Sequence, residues 1–317
     1  CGSHATRRRR AHGTRRGVLA MSSAAASTFA VCSVVVLSVA VLSAAMASCG
    51  TAQQSTGSST TESSPSGLLP SAPPSTCPDT PPQRLVPQVL AQHPHDSTSF
   101  TEGLLLVDGT LVESAGRYGE SSIRRADVDT GAVVQRGDVP DGAFAEGVAR
   151  GPDGRLVQLT WKEGRAFVRD PATLQIVDEH RYDGEGWGIT TLDDGSFVTS
   201  DGSDRLTVRD PATFEPRRVT TVRRAGGPVD QLNELEWDGA HLWANRWQTN
   251  EIVRIDPVCA RVDGVVDASS LETAARQAAG GQRIDVLNGI AHVPGTDRFL
   301  VTGKFWPVLS DVRFVPA

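Results

Sequence analysis

Five tight turns punctuate the chain, at Asp108-Gly109, Asp153-Gly154, Asp194-Gly195, Asp238-Gly239 and Pro294-Gly295, and their second residues lie 45, 41, 44 and 56 apart. Each joins two short runs rich in Val, Leu, Phe and Trp, and such a turn between apolar runs is the strongest short-range signal for a β-hairpin. Repetition at about 40–45 residues is the period of a propeller blade. A second marker keeps the same step. Val168-Arg169-Asp170-Pro171-Ala172-Thr173 is echoed by Val208-Arg209-Asp210-Pro211-Ala212-Thr213, by Arg254-Ile255-Asp256-Pro257 and, more loosely, by Arg125–Gly131. Counted from Asp129, these acids lie 41, 40 and 46 apart. The two markers together predict an all-β fold, a five-bladed β-propeller. The last unit lacks one strand, which Arg84–Ala91 can supply to close the ring. The long final spacing is filled by an Ala-rich helical insertion at 269–279, with Glu272 and Arg276 four apart.

The first 83 residues do not carry the repeat. Residues 1–20 hold six arginines and no acid, and residues 23–48 carry no charge. A basic head followed by an apolar body reads as an export signal over 1–48. Its end, Met46-Ala47-Ser48-Cys49-Gly50, resembles a bacterial lipoprotein cleavage box, so lipid on Cys49 is expected to hold the protein at the outer face of the cell membrane, or the chain is secreted. Residues 49–83, poor in large apolar side chains, read as a flexible Ser/Thr/Pro-rich tether, leaving 84–317 as the catalytic domain. The whole chain has a formal charge of −6, and without the six leader arginines −12. A surface that acidic argues against nucleic acid as a partner. Cys77 and Cys259 are the remaining cysteines of the exported part. The compartment permits a bridge between them, and the sequence leaves open whether their sulfurs meet.

Aligning the five units puts Glu102, Glu146, Trp187, Asn233 and Asn288 at equivalent positions on the innermost strands. The second strands end near Arg117, Trp161, Asp201, Trp247 and Lys304. In a propeller such positions ring one channel. Among them, two glutamates, two amides, three indoles and a lysine around one mouth are a small-molecule site rather than a stability device. Lys304 is one of only two lysines, the other being Lys162.

The motifs Phe100-Thr101-Glu102-Gly103-Leu104, Phe144-Ala145-Glu146-Gly147, Gly186-Trp187-Gly188, Leu232-Asn233-Glu234-Leu235-Glu236, Trp243–Thr249, Asp285–Ala291 and Val301–Pro307 resemble the glutaminyl-peptide cyclotransferases of plant and bacterial type, in order over about 84–317. The resemblance implies a five-bladed propeller that needs no cofactor. It also implies an acyltransferase reaction in which an N-terminal glutamine closes on its own side chain, giving pyroglutamate and ammonia. Peptides or proteins with N-terminal Gln would be the substrates, and a monomer is expected. Glu146 matches the catalytic glutamate, with Asn233 and Lys304 beside it. Phe100, Glu102, Phe144, Trp161, Trp187, Trp247 and Asn288 would bind the substrate. One position departs from the family pattern: Glu102 stands where Gln is usual, and a second carboxylate there would raise the proton affinity of Glu146 if the two are close.

Two other readings compete. Glu102, Glu146, Asn233 and Asp201 are oxygen donors suited to calcium, as in a metal-dependent lactonase-like hydrolase, and a propeller can also bind envelope partners without catalysis. His93-Pro94-His95 has no third ligand at a recognisable spacing, so no metal site is expected.

Overall fold

The computed structural model describes residues 68–72 and 74–317. The export signal, Cys49 and the first part of the tether lie outside these residues. The described part is all-β with one helix, Ser269–Ala279.

Three four-stranded antiparallel meanders follow one another. The first is Thr101–Val107, Thr110–Ala115, Ser122–Ala126 and Val133–Asp138; the second is Ala145–Arg150, Leu156–Thr160, Arg165–Arg169 and Ile176–Arg181. The third is Ile189–Thr191, Phe197–Ser200, Arg205–Arg209 and Pro216–Thr221. A fourth runs Leu232–Trp237, Leu242–Arg246, Glu251–Asp256 and Arg261–Asp267, and a fifth Leu287–His292, Arg298–Gly303 and Val308–Pro316. Gln83–Pro94 is the fourth strand of this last unit. It pairs antiparallel with Val308–Pro316 and, at Gln83–Leu85, parallel with Arg261–Asp267, which merges the last two units into one sheet. The first strands of the five units neighbour one another in a closed cycle.

Why these segments turn where they do is visible in the side chains. Asp127, Asp170 and Asp210 each accept the backbone N–H of a Thr three residues on, an Asx-type turn between the two outer strands of a unit. In the first unit that role falls to Asp127 rather than Asp129, so the true step is 43, 40 and 46. Apolar residues alternate inward along the strands and pack between adjacent sheets. One such cluster joins Val198, Leu206 and Val208 to Leu235, Leu242 and Val253.

Residues before the 84 boundary read from composition also pack against the sheets. Leu69 is fully buried in that same cluster, and its N–H donates to Pro257 O at 2.5 Å. Arg218 and Thr220 bond to the carbonyls of Leu68 and Pro70. Leu68-Leu69 is the one pair of large apolar residues in an otherwise polar stretch, and burying it fastens the segment to the sheets. Cys77 is bonded to Cys259.

Candidate functional site

Local backbone irregularity makes the site. In the first, second, fourth and fifth units the pairing of the two inner strands slips one register, between Thr101 and Gly103, Ala145 and Val148, Leu232 and Leu235, and Leu287 and Ile290. Glu102, Glu146, Asn233 and Asn288 lie inside those slips. A bulge re-aims a side chain that strict alternation would send into the sheet-to-sheet packing. The glycines that follow let the inner strands close up. A Cβ on Gly147 would sit 2.7 Å from Trp187 O, and one on Gly188 2.1 Å from Asn233 O. The fourth unit has Glu234 in that place. Its two oxygens accept Leu104 N at 3.2 Å and Ile290 N at 3.1 Å, tying three inner strands together below the site.

Above them opens a cavity of about 460 Å³, lined by Phe100, Glu102, Phe144, Glu146, Trp161, Trp187, Asn233, Trp247, Gln248, Asp285 and Lys304. That size suits a small-molecule site, typically about 300–1,000 Å³. A larger hollow of about 760 Å³ lies between the second and third units and shares none of these residues.

The cavity wall is aromatic. Phe305, Phe100, Phe144 and Trp161 meet in sequence at centroid distances of 5.1, 6.3 and 5.6 Å, and Trp187 meets Trp247 edge-on at 5.4 Å. Glu185 joins the two groups: one oxygen, Oε2, accepts the indole N–H of Trp161 at 2.8 Å and that of Trp187 at 3.0 Å. Lys162 Nζ caps the wall 3.7 Å from the Trp161 ring centroid.

The polar groups gather on one side. Lys304 Nζ lies 2.7 Å from Glu102 Oε1 and 4.4 Å from the Phe100 ring centroid. Glu102 and Glu146 line the same cavity, and each shifts the other's proton affinity. Burial pushes Glu102 up, against the opposing pull of Lys304. Burial first, and the Glu102 carboxylate second, hold Glu146 well above the usual carboxylate range. The pair therefore titrates as a unit. Asn233 presents a buried Oδ1 with no partner in the protein.

A buried hub supports this side from behind. Glu113 Oε1 accepts Ser99 Oγ at 2.5 Å, Thr101 Oγ1 at 2.6 Å and His95 Nε2 at 3.2 Å, while Oε2 lies 3.0 Å from Arg124 Nε. His95 Nδ1 donates to Trp306 O at 2.7 Å. His95 thus links the strand that carries Phe100 and Glu102 to the turn that carries Lys304. Burial alone would lower the His95 ring, but the charge and hydrogen bond of Glu113 outweigh it and hold the ring above its ordinary value. Although burial opposes it, Glu113 is brought down to about 2, His95 contributing most. The His-Pro-His motif is thus partly a structural hinge pin.

Nine of the ten residues read from sequence as catalytic or substrate-binding line the cavity; Asn288 does not. It is fully buried behind Glu102, its Nδ2 donating to Thr101 O at 3.1 Å and to Glu102 Oε2 at 3.3 Å. Those two hydrogen bonds hold Glu102 in place. Asp201 stands apart: it accepts Ser203 N at 3.0 Å and faces Arg205 in the larger hollow. The four oxygen donors read for calcium are therefore not assembled. Sequence reading missed Gln248, Asp285 and Glu185 as site residues. The first two sit inside quoted motifs, next to Trp247 and three before Asn288, and counting outward from the ring positions could have found them.

Residues 63–314 match the family described as glutamine cyclotransferase. The chain is similar to the glutaminyl-peptide cyclotransferase of Arabidopsis thaliana, with 37% identity over 232 residues, 73% of this chain and 72% of that protein. It is also similar to the crystal structure of the Myxococcus xanthus glutaminyl cyclase, with 37% identity and a TM-score of 0.68 over 74% of this chain and 99% of that one.

Proposed function

The chain belongs to the glutamine cyclotransferase family and is a glutaminyl-peptide cyclotransferase, and from that premise we propose how its residues divide the work. The reaction forms one C–N bond and breaks another. The α-amine of an N-terminal Gln attacks its own side-chain amide carbon, the lactam closes, and the amide nitrogen leaves as ammonia. Because nucleophile and electrophile share one residue, the site has to hold a folded near-attack conformer and move protons.

Glu146 is the general acid and base. It takes a proton from the α-ammonium and delivers one to the departing nitrogen. A carboxyl raised by burial and by Glu102 is better matched to an α-amine, whose ordinary pKa is about 7.7–8.0. The observation that carries this reading is the buried trio of Lys304, Glu102 and Glu146 on one side of an otherwise aromatic cavity. Lys304 and Asn233 bind the side-chain amide, with Lys304 facing the oxyanion that develops on attack. Trp161, Trp187, Trp247, Phe100 and Phe144 wall the substrate and keep water from the tetrahedral intermediate. Glu102 fixes Lys304 and raises the proton affinity of Glu146.

We read the five meanders as five blades of a propeller, a reading supported by the closed cycle of inner strands. We further propose export with lipid on Cys49, a reading supported by the cleavage-box sequence and by a cystine, which belongs to oxidising compartments. Cys49→Ala should move the protein from the membrane fraction to the medium. The test of the catalytic assignment is ammonia release from Gln-β-naphthylamide or a short Gln-initiated peptide. The parent should release ammonia, and Glu146→Gln should lose at least about 10²-fold in kcat. Equal release by both would remove Glu146 from its role.

A further inference from the structure

The catalytic cavity receives the N-terminal residue of a peptide and leaves the following residues to find a course. The larger hollow between the second and third units touches the site through Glu185, which bonds to Trp161 and Trp187, but shares no lining residue with the cavity. A different groove, of about 360 Å³, has Gln248 and Asp285 in common with it and runs along the helix Ser269–Ala279. The two spaces adjoin at those two side chains, so a chain leaving the cavity past Gln248 enters this groove directly.

The helical insertion builds the groove. Leu271, Ala275 and Ala279 are buried toward the sheets, which leaves Glu272 and Arg276, one turn apart, on the groove side. Gly280, in the left-handed conformation (φ 57°), ends the helix and starts the segment that returns Arg283 and Asp285 to the cavity mouth. The charges are layered. Glu272 and Asp285 have side-chain exposures of 25% and 29%, whereas Arg276 and Arg283 have 61% and 78%. The carboxylates are also engaged: Glu272 accepts Asn250 Nδ2 at 2.5 Å and Arg276 Nε at 2.9 Å, and Asp285 accepts Val286 N at 2.8 Å and Arg283 at 3.0 Å. A ligand arriving from solvent meets guanidinium edges first. On a chain whose formal charge outside the leader is −12, a groove with two arginines and two carboxylates is locally neutral, with the cations outermost.

We propose that this groove is the binding site for the second and third residues of the substrate peptide, and that Arg276 and Arg283 give it a preference for acidic side chains there. The proposal rests on the cyclotransferase activity and adds a substrate class to it. Two extended residues span about 7 Å, a length such a groove can hold. Exposed guanidiniums flanking the path favour carboxylates and disfavour ammonium groups, and they do so less as salt rises.

The experiment compares three substrates on the full chain: Gln-β-naphthylamide, which has no second residue, a Gln-Glu-Glu peptide and a Gln-Lys-Lys peptide of equal length. The parent should favour the acidic over the basic peptide by about three- to tenfold in kcat/KM at low ionic strength, with the ratio shrinking in 0.5 M salt. Arg276→Gln combined with Arg283→Gln should bring the ratio to about one while the naphthylamide rate stays within about twofold. An unchanged ratio in the double variant, or no preference in a parent that cyclises the naphthylamide, would overturn the groove and leave the activity standing. A fall of the naphthylamide rate equal to that of the peptides would also overturn it, since the arginines would then act on the cavity itself. A parent inert toward all three would overturn the activity on which the proposal depends, and the proposal with it.

Discussion

Glu102 stands between a cation and an acid: Lys304 Nζ is 2.7 Å from its Oε1, and its charge raises the proton affinity of Glu146. All three side chains are buried. A glutamine at position 102 could still receive a hydrogen bond from either neighbour, but it would carry no charge. The carboxylate therefore changes electrostatics more than shape.

That arrangement makes Glu102→Gln a test of coupling between the two carboxyls. Removing the Glu102 charge removes the second-largest influence that raises Glu146. Glu146 then ionises at lower pH, and with its ionised form as the base the acid limb of the kcat profile moves to lower pH. Measuring kcat from pH 4.5 to 9 for both proteins checks this. Superimposable profiles would show that the carboxyls do not influence each other during turnover.

Glu185 offers a second handle, because both indole N–H groups bond to a single oxygen. Glu185→Gln can keep that acceptor and should behave nearly as the parent. Glu185→Ala leaves two indoles unanchored and should lose about tenfold in kcat/KM, mostly through KM, since charge-assisted hydrogen bonds contribute about 1.5–3 kcal/mol and this one is partly solvated. Near-UV circular dichroism of the tryptophans should change in the Ala variant alone. If Gln and Ala behave alike, the carboxylate does not position the walls.

The buried titratable groups set a pH optimum for stability. Burial raises Glu236 to about 8, although its carboxylate accepts His292 N at 2.7 Å. Its folded form binds a proton that the unfolded chain releases near 4.5, so stability falls as pH rises from about 4.5 through 8. Burial raises Glu234 in the same direction. His95, raised by Glu113, adds stability that is present below the ordinary histidine value and is lost as pH rises through its folded value. Glu113, lowered to about 2, acts oppositely: its contribution is present above about 4.5 and is lost as pH falls toward 2. Stability should therefore peak on the acid side of neutrality, near pH 5. Tm measured from pH 3 to 9 should show the peak, and Glu236→Gln should flatten the alkaline fall. A Tm that climbs steadily to pH 8 would contradict this account.

Most of the architecture was legible because the repeat is written twice, in the Asp-Gly hairpins and in the Asp-Pro-Ala-Thr turns. The ring positions followed from alignment. Their convergence depends on bulges, which pairing geometry sets and composition does not mark. Asn288, equivalent to Glu146 in sequence, has the same bulge but spends its amide on Thr101 O and Glu102 Oε2, so it ends up behind Glu102 and not in the cavity. Glu185 was unreadable for a related reason: its role comes from the direction of two indole N–H groups. Average polarity also hid one Leu-Leu pair inside the tether, and that pair packs into the cluster around Leu235 and Val253.

The cystine supplies the last prediction. Cys77 and Cys259 are 182 residues apart in sequence, so the bond closes a very long loop. Constraining such a loop in the unfolded chain is worth about 2–5 kcal/mol. Cys259 follows Asp256 in the turn between the third and fourth strands of its unit. The second strand of that unit runs toward Trp247 and the cavity, and the third runs back antiparallel, so this turn lies at the end remote from the site. Breaking the bond should therefore loosen the attachment of Leu68–Pro70 and the start of Gln83–Pro94 without moving Glu146 or Lys304. Cys77→Ser should lower Tm by about 4–20 °C for a domain of this size and leave kcat at 25 °C within about twofold. Loss of activity at 25 °C in a variant that remains folded would show that the N-terminal strap reaches the catalytic end, contrary to the strand directions described above.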